Sequence, residues 1–195
     1  MTKISDDPLQ TIQYEVQRLL GQCLLQLQQY ERLIKVIVAY RELSGPESVQ
    51  AKRVAANKYN MLGNLVGDLL KSFLVTDEIA RSHQDKLGVK SDIDSFNYRM
   101  QIGFSKEDIE KTESELKELV NLRNNLVHHF IDQHDLHDFD GCRNAQEALV
   151  AASNRIEQNF KRLREWAEDM ERCRQIMWEM VQSDQFRDRV VKGTP

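Results

Sequence analysis

The chain has 195 residues, of which 30% are charged and 41% are hydrophobic, while glycine (8) and proline (3) are scarce. This mixture favours long surface helices over a sheet protein, which would need many turns. The net charge is −4, and residues 76–140 alone carry −7, which counts against a protein that grips nucleic acid strongly by itself.

The amino terminus and the apolar segments bear on location. No segment approaches the roughly 18 uninterrupted apolar residues of a membrane-spanning helix. The polar stretch Ser5-Asp6-Asp7-Pro8 interrupts the amino terminus where a signal peptide would need a continuous apolar run. We therefore expect a cytoplasmic protein that has no membrane partner.

The first predicted helix begins at Pro8, because proline favours the first helical position and Asp6 or Asp7 can cap it. It runs to about Leu43. Its apolar residues recur with heptad-like spacing and predict a seam that packs in a helical bundle. The seam residues are Leu9, Ile12, Val16, Leu19, Cys23, Tyr30, Leu33, Ile37 and Tyr40.

A second helix is predicted over Glu47 to Leu74, because Pro46 starts it and apolar residues fill its second half. Residues 76–104 lack clear helical periodicity and are predicted to be an irregular connecting segment. A short helix over residues 76–86 is a plausible element within it. A connection of this length is uncommon unless it is functional, disordered or contains short elements.

The third predicted helix starts at Ser105, which with Asp108 resembles a capping box, and it extends to about residue 132. Its predicted buried stripe shares a helical period. The stripe consists of Ile109, Leu116, Leu119, Val120, Val127 and Ile131. A flexible polar loop is expected over residues 134–141.

The last predicted helix runs from about Asn144 to Arg187 and carries a seam at seven-residue spacing. The seam residues are Leu149, Ile156, Leu163, Met170 and Met177, with Trp166, Cys173 and Met180 on the adjacent position. Because the first and last helices are both long and seamed, they are predicted to lie side by side. The fold class predicted is all-α: one domain over residues 1–195, formed as a long antiparallel bundle of four to five helices.

The three cysteines, Cys23, Cys142 and Cys173, are odd in number and contain no C-x-x-C pair. Cys23 and Cys173 fall in apolar helical registers, where a buried thiol acts as a small hydrophobe. Neither a disulfide framework nor a zinc knuckle is indicated, and no cofactor is expected.

A group able to carry chemistry lies late in the third helix, in the segment Arg123-Asn124-Asn125-Leu126-Val127-His128. Cleavage of RNA by its own 2′-hydroxyl needs proton transfer and stabilisation of a crowded anionic phosphorane. Histidine exchanges protons near neutral pH, and arginine offers phosphate oxygens a planar fork of donors. On a regular α-helix Asn124 and His128 share one face, whereas Arg123 is about 140° round from His128. This splayed arrangement predicts a homodimer, in which two such helices surround one phosphate.

The same segment resembles the motif of the HEPN superfamily, which is arginine, four to six residues and histidine, often written Arg-Asn-x-x-x-His. The resemblance implies an all-α, metal-independent endoribonuclease of the toxin or phage-defence type, with its active site at a dimer interface. It assigns RNA as the substrate, Arg123 and His128 as catalytic residues, and Asn124 as a supporting residue. A protein partner or antitoxin is also implied. Members paired with nucleotidyltransferase antitoxins continue the motif as His-x-Tyr, and here Phe130 lacks the hydroxyl that such control would modify.

Four alternatives stay open. His129 is the competing base, and Arg123 could instead pair with an acid such as Glu118. The long seamed helices could form a non-catalytic helical protein-interaction module, in which the motif is coincidental. A metal-dependent phosphohydrolase is the last alternative, because histidine and aspartate residues are concentrated in residues 128–140, although they follow no recognised ligand spacing. Those residues are His128, His129, Asp132, His134, Asp135, His137, Asp138 and Asp140.

Overall fold

The computed structural model describes residues 7–44, 47–77, 97–186 and 188. Within them the chain forms six α-helices and one π-helical turn, which confirms the predicted all-α class. The helices are α1 (Pro8–Tyr40), α2 (Glu47–Asn57), α3 (Leu62–Ser72), α4 (Lys106–Asn124), α5 (Phe130–Gln133) and α6 (Phe139–Gln182), and the π-helical turn is Asn125–His129. In the described part of the chain, no helix is long and apolar enough to cross a membrane.

Short strands replace the ends of two predicted helices. The strands are β1 (Glu42–Ser44), β2 (Leu74–Thr76), β3 (Asn97–Arg99) and β4 (Ile102–Phe104). Strand β1 pairs antiparallel with β3, and β2 pairs parallel with β4. The first helix therefore ends at Tyr40 and α3 ends at Ser72, short of the predicted ends, because the following residues pair with strands far along the chain.

The predicted second helix is broken by a turn over residues 58–61. The amide of Lys58 donates to the Ala55 carbonyl and the amide of Asn60 donates to the Asn57 carbonyl, both at 3.2 Å and both with the tighter i to i+3 spacing. The Asn60 side-chain amide also donates to Asn57 Oδ1 at 3.1 Å. Asparagine side chains favour such turns because they compete for local backbone groups.

The chain forms two compact units and passes from one to the other within α1, α4 and α6. The first unit combines Met1–Arg32 with Thr112–Arg162, and the second combines Leu33–Lys111 with Leu163–Pro195. The predicted single domain stays a prediction, and most of the short helix predicted over residues 76–86 lies outside the described residues.

In the first unit, α1 and α6 lie side by side, as the seams predicted. The Cys23 thiol donates to the Leu149 carbonyl at 3.5 Å, and the Ser153 hydroxyl donates to Gln26 Oε1 at 3.0 Å. Because these partners advance together along both helices, α1 and α6 run in the same direction. The antiparallel arrangement predicted for the bundle is therefore wrong for this pair of helices. The buried side chains of this unit include Val16, Leu19, Cys23, Leu27, Tyr30, Leu116, Leu119, Leu126, Phe130, Cys142, Ala145, Leu149, Ala152 and Ile156.

Helix α4 runs antiparallel to α6 within the first unit. Arg155 forms an ion pair with Glu118 at 3.4 Å, and Arg162 pairs with Glu115. The partners therefore follow opposite orders along the two helices. Both arginines have their charge offset by these carboxylates, so they add little free positive charge to the surface near the candidate motif.

In the second unit, an aromatic cluster forms where Trp166 of α6 meets Phe73 and Phe104, with ring centroids 6.3 and 6.1 Å apart. Leu163, Met170 and Met177 are buried, as the seven-residue seam predicts. The prediction that Cys173 and Met180 are buried is wrong, since both are exposed. Among the described residues from 171 onward, only Met177 is fully buried, so one row of this helix is covered and the adjacent row is not.

Candidate functional site

The helix that carries the candidate motif begins as predicted. Ser105 Oγ accepts a hydrogen bond from the Asp108 amide at 3.1 Å, and its hydroxyl donates to Asp108 Oδ2 at 2.7 Å. This is the N-cap geometry that satisfies a free amide in the first helical turn. The helix then continues to Asn124, where the regular α-helix gives way to the π-helical turn.

The π-helical turn spans Asn125–His129 and coincides with the motif. In such a turn the backbone bonds join residues five apart, so an extra residue is accommodated in the coil. The backbone of His129 departs from helical geometry, with φ −128° and ψ 1°, directly before α5 begins. The buried side chains of Leu126 and Phe130 hold the turn against the core of the first unit. Turns of this kind are rare in proteins, and those that do occur often lie at functional sites.

The turn brings Arg123 and His128 together. Arg123 Nη1 lies 3.4 Å from His128 Nε2. This distance is long for a hydrogen bond, so the contact shows that the two groups are close but contributes little to the stability of the helix. The prediction that one helix splays these two groups apart by about 140° is therefore wrong. It assumed a regular α-helix up to His128, whereas the helix changes to a π-helical turn at Asn125 and the Arg123 side chain reaches the His128 ring. One chain thus already directs both groups at one point.

Asn124 supports the arginine. Its Oδ1 accepts a hydrogen bond from Arg123 Nη1 at 3.3 Å, the same nitrogen that faces His128. The side chain of Arg123 is half-buried, whereas Asn124 and His128 are exposed. A guanidinium only donates hydrogen bonds, so a hydrogen bond between the two groups requires the His128 tautomer in which Nε2 is the acceptor. The arrangement therefore places a cationic donor beside a ring nitrogen of an exposed histidine.

His129 lies to one side of this pair. Its Nδ1 is 3.9 Å from Asp132 Oδ2, and both side chains are well exposed. Its ring centroid is 6.3 Å from that of His128. His129 is thus near the site but contacts a carboxylate, so the geometry favours His128 over His129 as the base beside Arg123.

The alternative in which Arg123 pairs with Glu118 does not hold, because Glu118 pairs with Arg155. Among the described residues no carboxylate lies within ion-pair distance of Arg123. An arginine that is half-buried and held only by an asparagine and a histidine keeps its charge available for an anionic ligand.

Two predicted core positions of the motif helix are instead exposed. Val127 is 45% exposed and Ile131 is 77% exposed, while Leu126 and Phe130 are buried. Each of these helical turns has two adjacent apolar residues. Periodicity alone therefore could not decide whether Leu126 and Phe130, or Val127 and Ile131, face the core. As a result, an apolar edge accompanies the Arg123–His128 pair on the surface.

Comparison of the chain with known protein families, with curated proteins and with solved structures finds no match. The chemical interpretation of this site therefore depends on its own geometry and on the motif.

The histidine- and aspartate-rich loop after the motif is hydrogen-bonded to the neighbouring helices, and its predicted flexibility stays a prediction. The Gln13 side-chain amide donates to the Leu136 carbonyl at 2.8 Å, and the Cys142 thiol donates to the same oxygen at 3.3 Å. Asp138 Oδ1 accepts from the Gly141 amide at 2.6 Å and so caps α6, which starts at Phe139. The loop is thereby fixed to both α1 and α6.

Two side chains of this loop make local contacts. Asp135 Oδ1 accepts from the His137 amide at 2.9 Å, and the ring of His134 packs at 4.9 Å from that of Phe130. Burial, with the neighbouring Asp138 and Asp135 carboxylates, raises the pKa of the Cys142 thiol, which disfavours the thiolate that metals bind. Across the described residues, no three histidine, cysteine or acidic side chains are placed to hold a metal ion.

Gly141 is required by the close approach of this loop. A Cβ at this position would overlap the backbone carbonyl of Asp135, which cannot swing away as a side chain could. We expect Gly141→Ala to lower the free energy of unfolding by about 1–3 kcal/mol. For a chain of this length each kcal/mol corresponds to a decrease of about 2–4 °C in Tm, which thermal denaturation followed by circular dichroism would measure.

Gly21→Ala is the matched control, because no atom of the described residues lies within 4 Å of a Cβ built at that helical position. Alanine there should raise stability by about 0.5–1 kcal/mol through its better helix propensity. A Gly141→Ala variant that is as stable as the wild type would contradict the close packing of the loop on α6.

Proposed function

We propose that this protein is a metal-independent endoribonuclease of the toxin or phage-defence type, acting on RNA in the cytoplasm. The observation that carries the proposal is the π-helical turn, which places Arg123 Nη1 and His128 Nε2 3.4 Å apart on an exposed surface. The resemblance of the motif to the HEPN superfamily gives this pair its chemical meaning.

In the proposed reaction the ribose 2′-oxygen attacks the adjacent phosphorus, and His128 Nε2 accepts the proton that the hydroxyl loses. Arg123 donates hydrogen bonds to the non-bridging oxygens, where negative charge grows in the transition state. The bond from phosphorus to the 5′-oxygen breaks, and that oxygen takes a proton from solvent water and leaves as a 5′-hydroxyl, while the proton on His128 returns to solvent. The other product ends in a 2′,3′-cyclic phosphate. Asn124 orients the Arg123 guanidinium through the bond at 3.3 Å.

The surface charge predicts weak binding of RNA by one chain alone. The net charge of residues 76–140 is −7, and Arg155 and Arg162 of the first unit are engaged by Glu118 and Glu115. Few cations are therefore left to release counterions from the RNA backbone. We infer that the substrate is structured RNA or that a further protein partner assists binding.

A homodimer remains part of the proposal mainly because the resemblance to the HEPN superfamily implies one. The geometric reason for it, the splayed Arg123 and His128, does not hold for a helix that contains the π-helical turn. The exposed edge of Val127 and Ile131 beside the motif offers an apolar surface for a second copy. An antitoxin or other protein partner is proposed on the same resemblance.

The proposal is tested by incubating the purified protein with total RNA in the presence of EDTA, beside an Arg123→Ala variant. We expect the wild type to cleave in EDTA because the site uses the Arg123 guanidinium in place of a metal ion. Cleavage should be nearly absent from the variant, which excludes a contaminating nuclease. Activity that is lost with EDTA and restored by a divalent cation would contradict the proposal.

The second candidate is a non-catalytic helical protein-interaction module, favoured by large exposed apolar side chains. Ile176 is 66% exposed and Trp178 is 60% exposed on α6. Such residues are typical of surfaces that partners cover. Equal, background-level cleavage by the wild type and the Arg123→Ala variant would favour this module over the enzyme.

A further inference from the structure

The proposed reaction contains one proton transfer to which no residue has been assigned. As the bond from phosphorus to the 5′-oxygen breaks, that oxygen gains negative charge and has to take up a proton. Water can supply the proton, but a positioned acid accelerates such a step by typically about a hundred- to ten-thousand-fold. A second titratable side chain near the leaving oxygen would therefore increase the rate.

His129 is a titratable side chain that lies directly beside the Arg123–His128 pair. Its ring centroid is 6.3 Å from that of His128, and the two ring planes are inclined by 66°. The attacking and leaving oxygens stand on opposite sides of phosphorus, so a base and an acid have to reach two different atoms. Stacked rings could not do this, whereas the observed separation and tilt give each ring its own approach to the phosphate. Both imidazoles are exposed, so a substrate can reach them.

The two histidines have neighbours of opposite charge. His128 Nε2 lies 3.4 Å from Nη1 of Arg123, and a guanidinium can only donate hydrogen bonds. His129 Nδ1 lies 3.9 Å from Oδ2 of Asp132, and an ionised carboxylate can only accept them. The first contact suits a ring that has a nitrogen free to accept a proton, and the second suits a ring that carries protons on both nitrogens. Two titratable groups in such contrasting surroundings are typical of a base and an acid that work as a pair.

We propose that His129 is the general acid of this site and donates its Nε2 proton to the departing 5′-oxygen, an inference that rests on the proposed nuclease function. Asp132 is a positioning residue, because its carboxylate faces Nδ1 and leaves Nε2 for the substrate. The electron pair of the breaking bond passes to the 5′-oxygen, which takes the Nε2 proton and leaves as a 5′-hydroxyl. His128 meanwhile holds the proton of the 2′-hydroxyl, and exchange with water returns both rings to their starting states.

The test compares two substrates under single-turnover conditions in EDTA. One is a defined RNA, and the other is the same RNA with sulfur in place of the 5′-bridging oxygen at the mapped cleavage position. A thiolate leaves without being protonated, so the sulfur substrate needs the base but not the acid. We expect His129→Ala to cleave the RNA about a hundredfold more slowly than the wild type and to cleave the sulfur substrate at nearly the wild-type rate. His128→Ala should be slow on both substrates.

His137→Ala is the matched control, since it removes an exposed histidine of the same unit whose described hydrogen bond is made by the backbone amide. It should cleave both substrates as the wild type does. The proposal is overturned if His129→Ala cleaves RNA as fast as the wild type, or if it is equally slow on the sulfur substrate. In either case a wild type that cleaves in EDTA, together with a slow His128→Ala, leaves the nuclease proposal intact. A wild type that cleaves neither substrate would overturn both proposals.

Discussion

Replacing His128 with alanine is expected to slow RNA cleavage by about a hundred- to ten-thousand-fold, the usual cost of losing a group that transfers a proton in the transition state. The imidazole is exposed, and its described contacts are the one at 3.4 Å with Arg123 and the ring contact with His129. The free energy of unfolding should therefore change by no more than about 0.5 kcal/mol. Single-turnover cleavage of one defined RNA, with thermal unfolding of the same sample, measures both quantities.

His129→Ala is the matched control, since it removes the same chemical group from the next residue of the same turn. We expect a smaller effect because His129 lies beside Asp132 and does not contact Arg123 in the described structure. If His129→Ala is inactive while His128→Ala is active, the assignment of the base is wrong and the nuclease proposal survives. Full activity in both variants would remove the main support for a nuclease.

Replacing Arg123 with alanine is expected to lower the rate of the chemical step by about a hundred- to a thousand-fold, as is usual when a donor to developing negative charge is removed. Arg123→Lys should restore part of this loss, because lysine keeps the charge but cannot present the planar fork. Asn124→Ala should act in the same direction and more weakly, since Asn124 contacts the guanidinium through one bond at 3.3 Å.

The control for Arg123 is Arg155→Ala, which removes an exposed arginine of the same unit from its ion pair with Glu118. Loss of a surface ion pair costs at most about 1 kcal/mol of stability, and we expect the chemical step to be unaffected. A comparable loss of rate in Arg155→Ala and Arg123→Ala would indicate that general positive charge, and not the site, drives cleavage.

The parts of the fold that follow from local pattern were predictable. Pro8 begins the first helix, where Asp7 Oδ1 accepts from the Leu9 amide at 3.0 Å, and Ser105 caps the third. The seven-residue seam from Leu149 to Met177 is buried. The strand pairs were not predictable, because each joins residues distant in sequence and only three residues long. The turn that splits the second helix was missed because its asparagines lie in a segment of otherwise good helix formers.

The residues of the candidate site were named from the sequence, but their arrangement was not. A π-helical turn has no strong sequence signature, and the regular 3.6-residue period separates Arg123 from His128. Leu126-Val127 and Phe130-Ile131 are adjacent apolar pairs, so the sequence did not show which residue of each pair faces the core.

The central claim is most directly tested by identifying the ends of RNA that the protein has cleaved in EDTA. A defined oligonucleotide is digested and the fragments are analysed by mass spectrometry, with a substrate carrying one 2′-deoxyribose at the mapped cleavage position as control. We predict a 2′,3′-cyclic phosphate or its 3′-phosphate hydrolysis product on one fragment, a 5′-hydroxyl on the other, and no cleavage at the deoxy position. Fragments with 3′-hydroxyl and 5′-phosphate ends, or cleavage of the deoxy substrate at that position, would contradict a site in which Arg123 and His128 direct attack by the 2′-hydroxyl.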